Sequence, residues 1–586
     1  MKRRDLLGSG AGAALAVTGC TSVQQPMGKP DGTRPQLIDV HSHVFNASDL
    51  PSERFIRIVF LKHYPKQAVS VMNIDDPDGM DQLMHLFTFL VGRTGAPSAF
   101  QEMKVLEAGS AEKKYALRLE NDKEMILGIA EYTKPGAAVA DDGGPVRQDK
   151  ILRALERAAG LGGVAVAGGN EDDARLAKAQ NAFRSLDLGT VLRWFGLFTR
   201  YRHSLAEQLA NDHENQKFPV AMLCPALVDY DHWLGQHLDG PDQTQVKGAS
   251  SLVDQVGVMG RIARRTTGPV VHGYVPFDPL RQAAWDAGVY KAFDPMSLVR
   301  KALREDGVIG VKLYPPMGFR AMGNADKCQS YSDEKSETIK KLLALGPPDL
   351  SVAECKPPRP VSGSPALGRR LDAAMTRLFD TVVAESGVIM AHTNDSNGAN
   401  DGFSRRADPA YWLPVFKKWP TLHVSLAHFG SFEAQSVGAP PGAQNEVASW
   451  EWSLGRYLRD NPNGPVYADI SYLVEIVGKS GAAQADYDRV VKAWVAQFDP
   501  DCRHLMFGTD WMMLGIDPAY VGYTERVYSY FSSIFNGDAA RIGRLFSGNA
   551  ASFLGLRTND AVRARLLNFY DKYGVPRSRL PEFPNT

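Results

Sequence analysis

LIDVHSH, residues 37–43, decides how the rest of the chain is read. A short apolar run over 36–40 delivers two histidines one residue apart, His41 and His43. In a strand, residues i and i+2 project to the same face, so two imidazoles at a strand end converge on one point. The same grammar returns further along. GVIGVKLYPP (307–316) carries Lys312, GVIMAHT (387–393) carries His392, LHVSLAHFG (422–430) carries His428, and HLMFGTDW (504–511) carries Asp510. Each polar residue sits within or just after a short apolar run.

Working outward, the apolar runs at 36–40, 219–224, 268–272, 308–313, 387–392, 423–428, 465–470 and 504–508 alternate with segments of helical pattern. Several are rich in Val, Ile and Leu without alternation, as expected of parallel strands buried on both faces. Eight such strands predict an α/β fold, a (β/α)8 TIM barrel. In that fold residues at the C-terminal strand ends share one face, where chemistry is carried out. The spacing is uneven. Residues 44–218 separate the first two strands and predict a large helical insertion after strand 1, with helices over 99–132, 148–160 and 171–211. Loop insertions are expected at 318–368 and 429–448. The barrel domain then spans 37–556, and 557–586 forms a C-terminal tail, helical at first and extended over RLPEFPNT.

The chain has 586 residues, 44% hydrophobic and 23% charged, which is ordinary globular composition. Lys+Arg and Asp+Glu are both 66, so the zero net charge gives no basis for a nucleic-acid partner. Residues 1–19 (MKRRDLLGSGAGAALAVTG) read as an export signal: a basic start, then a short apolar stretch of small residues. Arg3-Arg4 is twin-arginine-like. Val17-Thr18-Gly19-Cys20 resembles a bacterial lipobox, which implies lipidation of Cys20, a tether over 20–36, and a periplasm-facing lipoprotein of the bacterial cell envelope, touching the membrane through that anchor alone. Among the remaining cysteines, Cys224 and Cys502 lie in or beside apolar runs and are expected as buried thiols; Cys328 and Cys355 flank a loop-rich stretch that admits a disulfide.

The ordered motifs IDVHSH, GVKLYPPMGF, AHT, LAHFG, FGTDW and SGNAASFLGL carry a resemblance to the amidohydrolase superfamily, in its amidohydrolase-related branch, amidohydrolase family 2. It covers most of 36–556, less the insertions. The resemblance implies a distorted barrel with one or two divalent metal ions, zinc above all, with Mn, Fe or Co as alternatives. It implies His41, His43, His392 and Asp510 as metal ligands. It makes His428 either a second-metal ligand or a catalytic, substrate-contacting histidine. Lys312 bridges two metals if carbamylated, and is otherwise a free ammonium.

Neutral imidazole and carboxylate suit such ions, and a bound divalent ion activates water and polarises a carbonyl. Asp510 is then expected to bind the ion and relay the proton of that water, and His428 to stabilise the oxyanion. The expected reaction is hydrolysis of an amide, ester or lactone in a small-molecule substrate. The alternative is a metal-dependent decarboxylase or hydratase on the same scaffold, and a third reading is a noncatalytic envelope binding protein. His272, Tyr274, Tyr314 and Arg320 are candidate substrate contacts; for each singly, packing is the competing role. Asp278 also follows the third apolar run. His203, on a helical pattern, is expected on a solvated face. No GxSxG elbow is present, and GLGGVAVAGG lacks the GxGxxG form.

Overall fold

The structure, a computed structural model, describes residues 32, 34–56, 85–88, 96–107, 194–234, 250–325, 337–345, 365–400, 402–429, 449–474, 481–517 and 520–583. Cys20, Cys328, Cys355 and most of the expected insertion 44–218 lie outside them. The described residues fall into two compact units: 85–88 and 194–200 belong to one, all others to the second. In the first, Phe87 packs against Phe195 and Phe198 with ring centroids 4.9 and 5.4 Å apart.

The second unit carries the sheet. Its strands are β1 (Leu37–Ser42), β2 (Val220–Pro225), β3 (Tyr274–Pro276), β4 (Gly310–Leu313), β5 (Val388–His392), β6 (His423–Ala427), β7 (Val466–Asp469) and β8 (Leu505–Met506). Every pairing is parallel, β1 with β2 and β3 through β8 in sequence order. Helices separate the strands: Leu252–Ala263 before β3, Pro295–Glu305 before β4, Pro365–Ala384 before β5, Trp450–Asp460 before β7 and Gly481–Phe498 before β8. The eight expected strands are thus present in order, as a two-stranded and a six-stranded sheet rather than one continuous ladder. Single parallel bridges join the two sheets at either side, Leu223 with Val271 and Ala226 with Tyr274 on one, Ser42 with Trp511 on the other. Among the described residues no helix is long and apolar enough to cross a membrane.

Three expectations are corrected. The third strand is Tyr274–Pro276, not 268–272. Val271 makes only one bridge, and the chain must step past Pro225 at Gly273, where a Cβ would lie 2.7 Å from the Pro225 carbonyl oxygen. The helix expected over 171–211 is broken before Arg202: Phe198–Arg200 turns back on 195–197, and Tyr201 is extended at the head of helix Arg202–Glu214. Segment 318–368, expected as a loop, contains the helix Glu337–Leu343.

The core gathers Ile38, Val40, Met222, Cys224, Tyr274, Ile309, Val388, Met390 and Met506 with residues of the C-terminal segment, from Ala550 to Leu580 and Phe583. That segment binds the starts of the strands. The Asn549 amide donates to the carbonyls of Cys502 and Leu505 (2.9 and 2.7 Å), and Arg565 donates to those of Val308 and Ile309 (2.6 and 3.2 Å). Asn549, the first residue of the helix Asn549–Phe553, therefore ties down β8. With the strand starts so occupied, the polar strand ends lie at the opposite edge.

Candidate metal centre

Five strands supply the six residues of the site. His41 lies on β1, Lys312 on β4 and His392 at the end of β5, while His43, His428 and Asp510 follow β1, β6 and β8. In-register pairing sets the levels: Lys312 opposes Met390, and His392 opposes Ala427, the residue before His428. Left-handed backbone recurs after the last three strands: His428, Phe429, Tyr472 and Asp510 have φ of 68, 47, 57 and 54°. Left-handed backbone at non-glycine residues costs on the order of 1 kcal/mol or more each and clusters where a side chain must be aimed.

One ligand atom each from His41, His428 and Asp510 lies within 4.8 Å of the others. His43 Nε2 approaches Asp510 Oδ1 at 3.0 Å and His41 Nε2 approaches the same oxygen at 3.5 Å. Behind them, His43 Nδ1 meets the Ala226 carbonyl at 2.8 Å. His41 Nδ1 meets Ser471 Oγ at 2.8 Å and Asp469 Oδ1 at 3.2 Å. His392 completes the group, with its ring centroid 4.6 Å from that of His428 and 4.4 Å from that of Tyr314. Its Nδ1 is buried without a hydrogen-bond partner among the described residues.

Burial sets the charge states. It holds His41 and His392 well below the usual histidine range, helped by the Lys312 charge at His41 and by His428 at His392. Burial also lowers His428, against the opposing pull of Asp510 and Asp469. These imidazoles are neutral at pH 7, with lone pairs to offer. Burial pushes the Asp510 carboxyl up, but the facing histidines, His43 first and then His428 and His41, outweigh it and bring it to about 2. Lys312 Nζ, buried, donates to His41 Nε2 at 2.9 Å and contacts Met390 Sδ at 3.4 Å; burial pulls its pKa to about 8, with Asp510 and Asp469 opposing.

The donor set fits a divalent cation. A carbonyl behind His43 and a carboxylate behind His41 require Nδ1–H on both rings. A neutral His43 ring then presents its Nε2 lone pair to the Asp510 carboxylate, and His41 Nε2, which accepts from Lys312, lies 3.5 Å from the same oxygen. Such acceptor-against-acceptor contacts are costly in a buried site unless a positive charge lies between them.

Two residues that the apolar runs did not flag belong here. Asp469, at the end of β7 and fully buried, accepts from the backbone N–H of His428 and of Ser471 and from the Ser471 hydroxyl. Its signal was present, an acid inside VYADI, but within the run rather than after it. Tyr230 stands beside Tyr314 with ring centroids 5.0 Å apart, and the two phenols are hydrogen-bonded; burial and the Asp510 charge push both up.

Tyr314 therefore lies against the cluster. The other three candidate substrate contacts do not. His272 precedes β3 instead of ending it, and its nitrogens meet the Gly307 carbonyl (2.7 Å) and the Tyr570 hydroxyl (2.9 Å) near the strand starts. Tyr274 opens β3 and is fully buried in the core. Arg320 packs its guanidinium over the Tyr411 ring at 4.3 Å and donates to Gly323. Asp278 caps the helix Pro279–Asp286, accepting from Leu280 and Arg281. His203 is buried against Glu102, not solvated.

No family model and no curated protein matches the chain. Three solved structures are similar at low levels. One is a probable 2-pyrone-4,6-dicarboxylic acid hydrolase from Acinetobacter baumannii with citric acid bound, 12% identical, covering 60% of this chain and 88% of that one, TM-score 0.30. Another, from Pseudomonas putida, is provisionally assigned the same activity: 15% identity, 59% and 86% coverage, TM-score 0.26. The third, from Lactobacillus casei, is provisionally assigned as a metal-dependent hydrolase: 13% identity, 89% and 95% coverage, TM-score 0.34. At these values the likeness assigns neither fold nor activity to this chain.

Proposed function

We propose that the chain is a metal-dependent hydrolase that cleaves an amide, ester or lactone bond of a small organic substrate. One observation carries the reading: the Nε2 atoms of His41 and His43 face Asp510 Oδ1 at 3.5 and 3.0 Å while their Nδ1 atoms are engaged behind them. His41, His428 and Asp510 would hold the ion, with His43 and His392 beside them. When bound, a divalent cation supplies Lewis acidity toward a carbonyl and lowers the pKa of water.

The chain's own groups do the rest. Asp510, ionised at neutral pH and 7% exposed, takes the proton from the attacking water and returns it to the leaving group. His428 acts as a ligand, because its N–H is engaged by Ser471 and none is left for an oxyanion. Lys312, 2.9 Å from His41, and Tyr314, its ring 4.4 Å from that of His392 with Tyr230 beside it, are the donors against the cluster that would meet a developing oxyanion. Export and lipidation at Cys20 stay part of the proposal on the residues alone.

Metal analysis of the purified chain tests the reading, together with proton release from a panel of esters and lactones. Stoichiometric divalent metal, lost in His41→Ala together with turnover, is expected. A chain that purifies and reconstitutes without metal sinks it.

A further inference from the structure

The proposed ion site depends on which nitrogen of each imidazole keeps its lone pair, and one serine touches two of the rings. Ser471 Oγ lies 2.8 Å from His41 Nδ1 and 3.0 Å from His428 Nδ1, and donates its single hydrogen to Asp469 Oδ1. A hydroxyl has one donor and two acceptor lone pairs. With its hydrogen committed to a carboxylate, Ser471 can only accept from both rings.

Other contacts reach the same answer for each ring separately. His428 Nδ1 also meets the Ser471 carbonyl oxygen at 3.3 Å, which accepts only. His41 Nδ1 also meets Asp469 Oδ1 at 3.2 Å. On its far side, His41 Nε2 receives Lys312 Nζ at 2.9 Å, so a hydrogen there would oppose a donor. The arrangement is braced: Asp469 Oδ2 accepts from Ser425 Oγ at 3.3 Å, and Oδ1 accepts the backbone N–H of His428 and Ser471, both at 3.2 Å. Ser471 and Asp469 are 1% and 0% exposed, so no water competes for these bonds. His392 is the contrast, since its Nδ1 has no acceptor behind it among the described residues.

We propose that Ser471, locked by Asp469, is a positioning residue that sets both His41 and His428 as Nδ1–H tautomers, leaving Nε2 of each as the nitrogen offered to the cation. This rests on the metal-dependent reading above for its purpose, but the tautomers are a property of the metal-free chain. Partners of this kind, behind metal-binding histidines, typically change metal affinity 10–100-fold when removed.

The test uses the full chain labelled with 15N-histidine, with His41→Gln and His428→Gln assigning the two rings. In the metal-free wild type, long-range 15N–1H correlations should show Nδ1–H on both. Ser471→Ala should release at least one ring into a tautomer mixture and weaken zinc binding, measured by chelator competition, about 10–100-fold; Ser471→Thr, which keeps the hydroxyl, should restore both. An Nε2–H signal on either wild-type ring overturns the proposal, as does a folded Ser471→Ala with wild-type tautomers and zinc affinity. If Ser471→Ala does not fold, the wild-type spectrum and Ser471→Thr still decide. A wild type with both Nδ1–H signals but no zinc binding sinks the hydrolase reading and supports the positioning role.

Discussion

Around Arg202 each buried charge has its opposite beside it. Nε donates to Asp49 at 2.8 Å, Nη1 to Glu102 at 2.8 Å, and Nη2 to Asp49, Ser48 and Ser250. Glu102 also accepts from the backbone N–H of Arg202 and His203 and meets His203 Nδ1. Around Asp510, by contrast, lone pairs are aimed at one another, and the one ammonium, Lys312, faces His41. Both clusters are buried and rich in His and carboxylate. In the first every charge is paired, only His203 Nε2 lacking a partner among the described residues, and it fastens the segment after β1, Asn46 to Asp49, to the helix Arg202–Glu214. The second is incomplete without a further positive charge. Satisfaction of the polar atoms, not their number, separates a fastener from a site.

Breaking the fastener should have the largest effect. Arg202→Met strands two buried carboxylates and should cost about 3–5 kcal/mol of stability, read from denaturant unfolding. Adding Asp49→Asn and Glu102→Gln to it should recover much of that loss. Loss of bound metal from Arg202→Met under conditions where it stays folded would show that the two clusters are one unit. Asp510→Asn should do the reverse. Turnover should fall about 10²–10³-fold, the scale of removing one preorganised charge, and metal content should drop. Stability of the metal-free chain should change little, because relief of the facing lone pairs offsets the loss of a carboxylate held at about 2.

The clusters also differ in how far the chain announced them. His41, Lys312, His392, His428 and Asp510 were legible because each follows a strand-like run, and the sheet puts all strand ends at one edge. Asp49, Glu102 and Arg202 are separated by 53 and 100 residues, and no periodicity links them. Ser471 was invisible for another reason. Its role depends on where one hydroxyl hydrogen goes, and that is fixed only when Asp469, His41 and His428 meet. The third strand was misplaced because GPVVH looks more strand-like than YVP, while backbone crowding at Gly273 decides where pairing starts.

Acid sharpens the comparison from the fastener's side. Burial raises the Glu102 carboxyl, but His203 and Arg202 outweigh it and hold it at about 2, against 4.5 for the free side chain. Its folded pKa is depressed, so its contribution is complete above pH 4.5 and is lost as pH falls toward 2. The shift corresponds to on the order of 3 kcal/mol. Stability measured between pH 6 and 3 should decline in the wild type and decline less steeply in Glu102→Gln. Asp510 has the same sign, so its share of the slope should survive in that variant.

The smallest effect tests a residue that sequence order placed with the site and the fold placed elsewhere. His272 is fully buried, and burial pulls its pKa to about 4, so the ring is neutral. With Nδ1–H donated to the Gly307 carbonyl, Nε2 accepts from the Tyr570 hydroxyl at 2.9 Å. Tyr570→Phe removes that donor and nothing at the strand ends. The expected cost is about 1 kcal/mol of stability, seen as a lower denaturation midpoint, with metal content, kcat and KM unchanged. A shift in KM without a loss of stability would return His272 to the substrate pocket. The reason to expect none is geometric: a strand that begins at Tyr274 leaves His272 before its first residue, at the edge held by the C-terminal helix Ala561–Tyr573, while the lone pairs converge beyond its last.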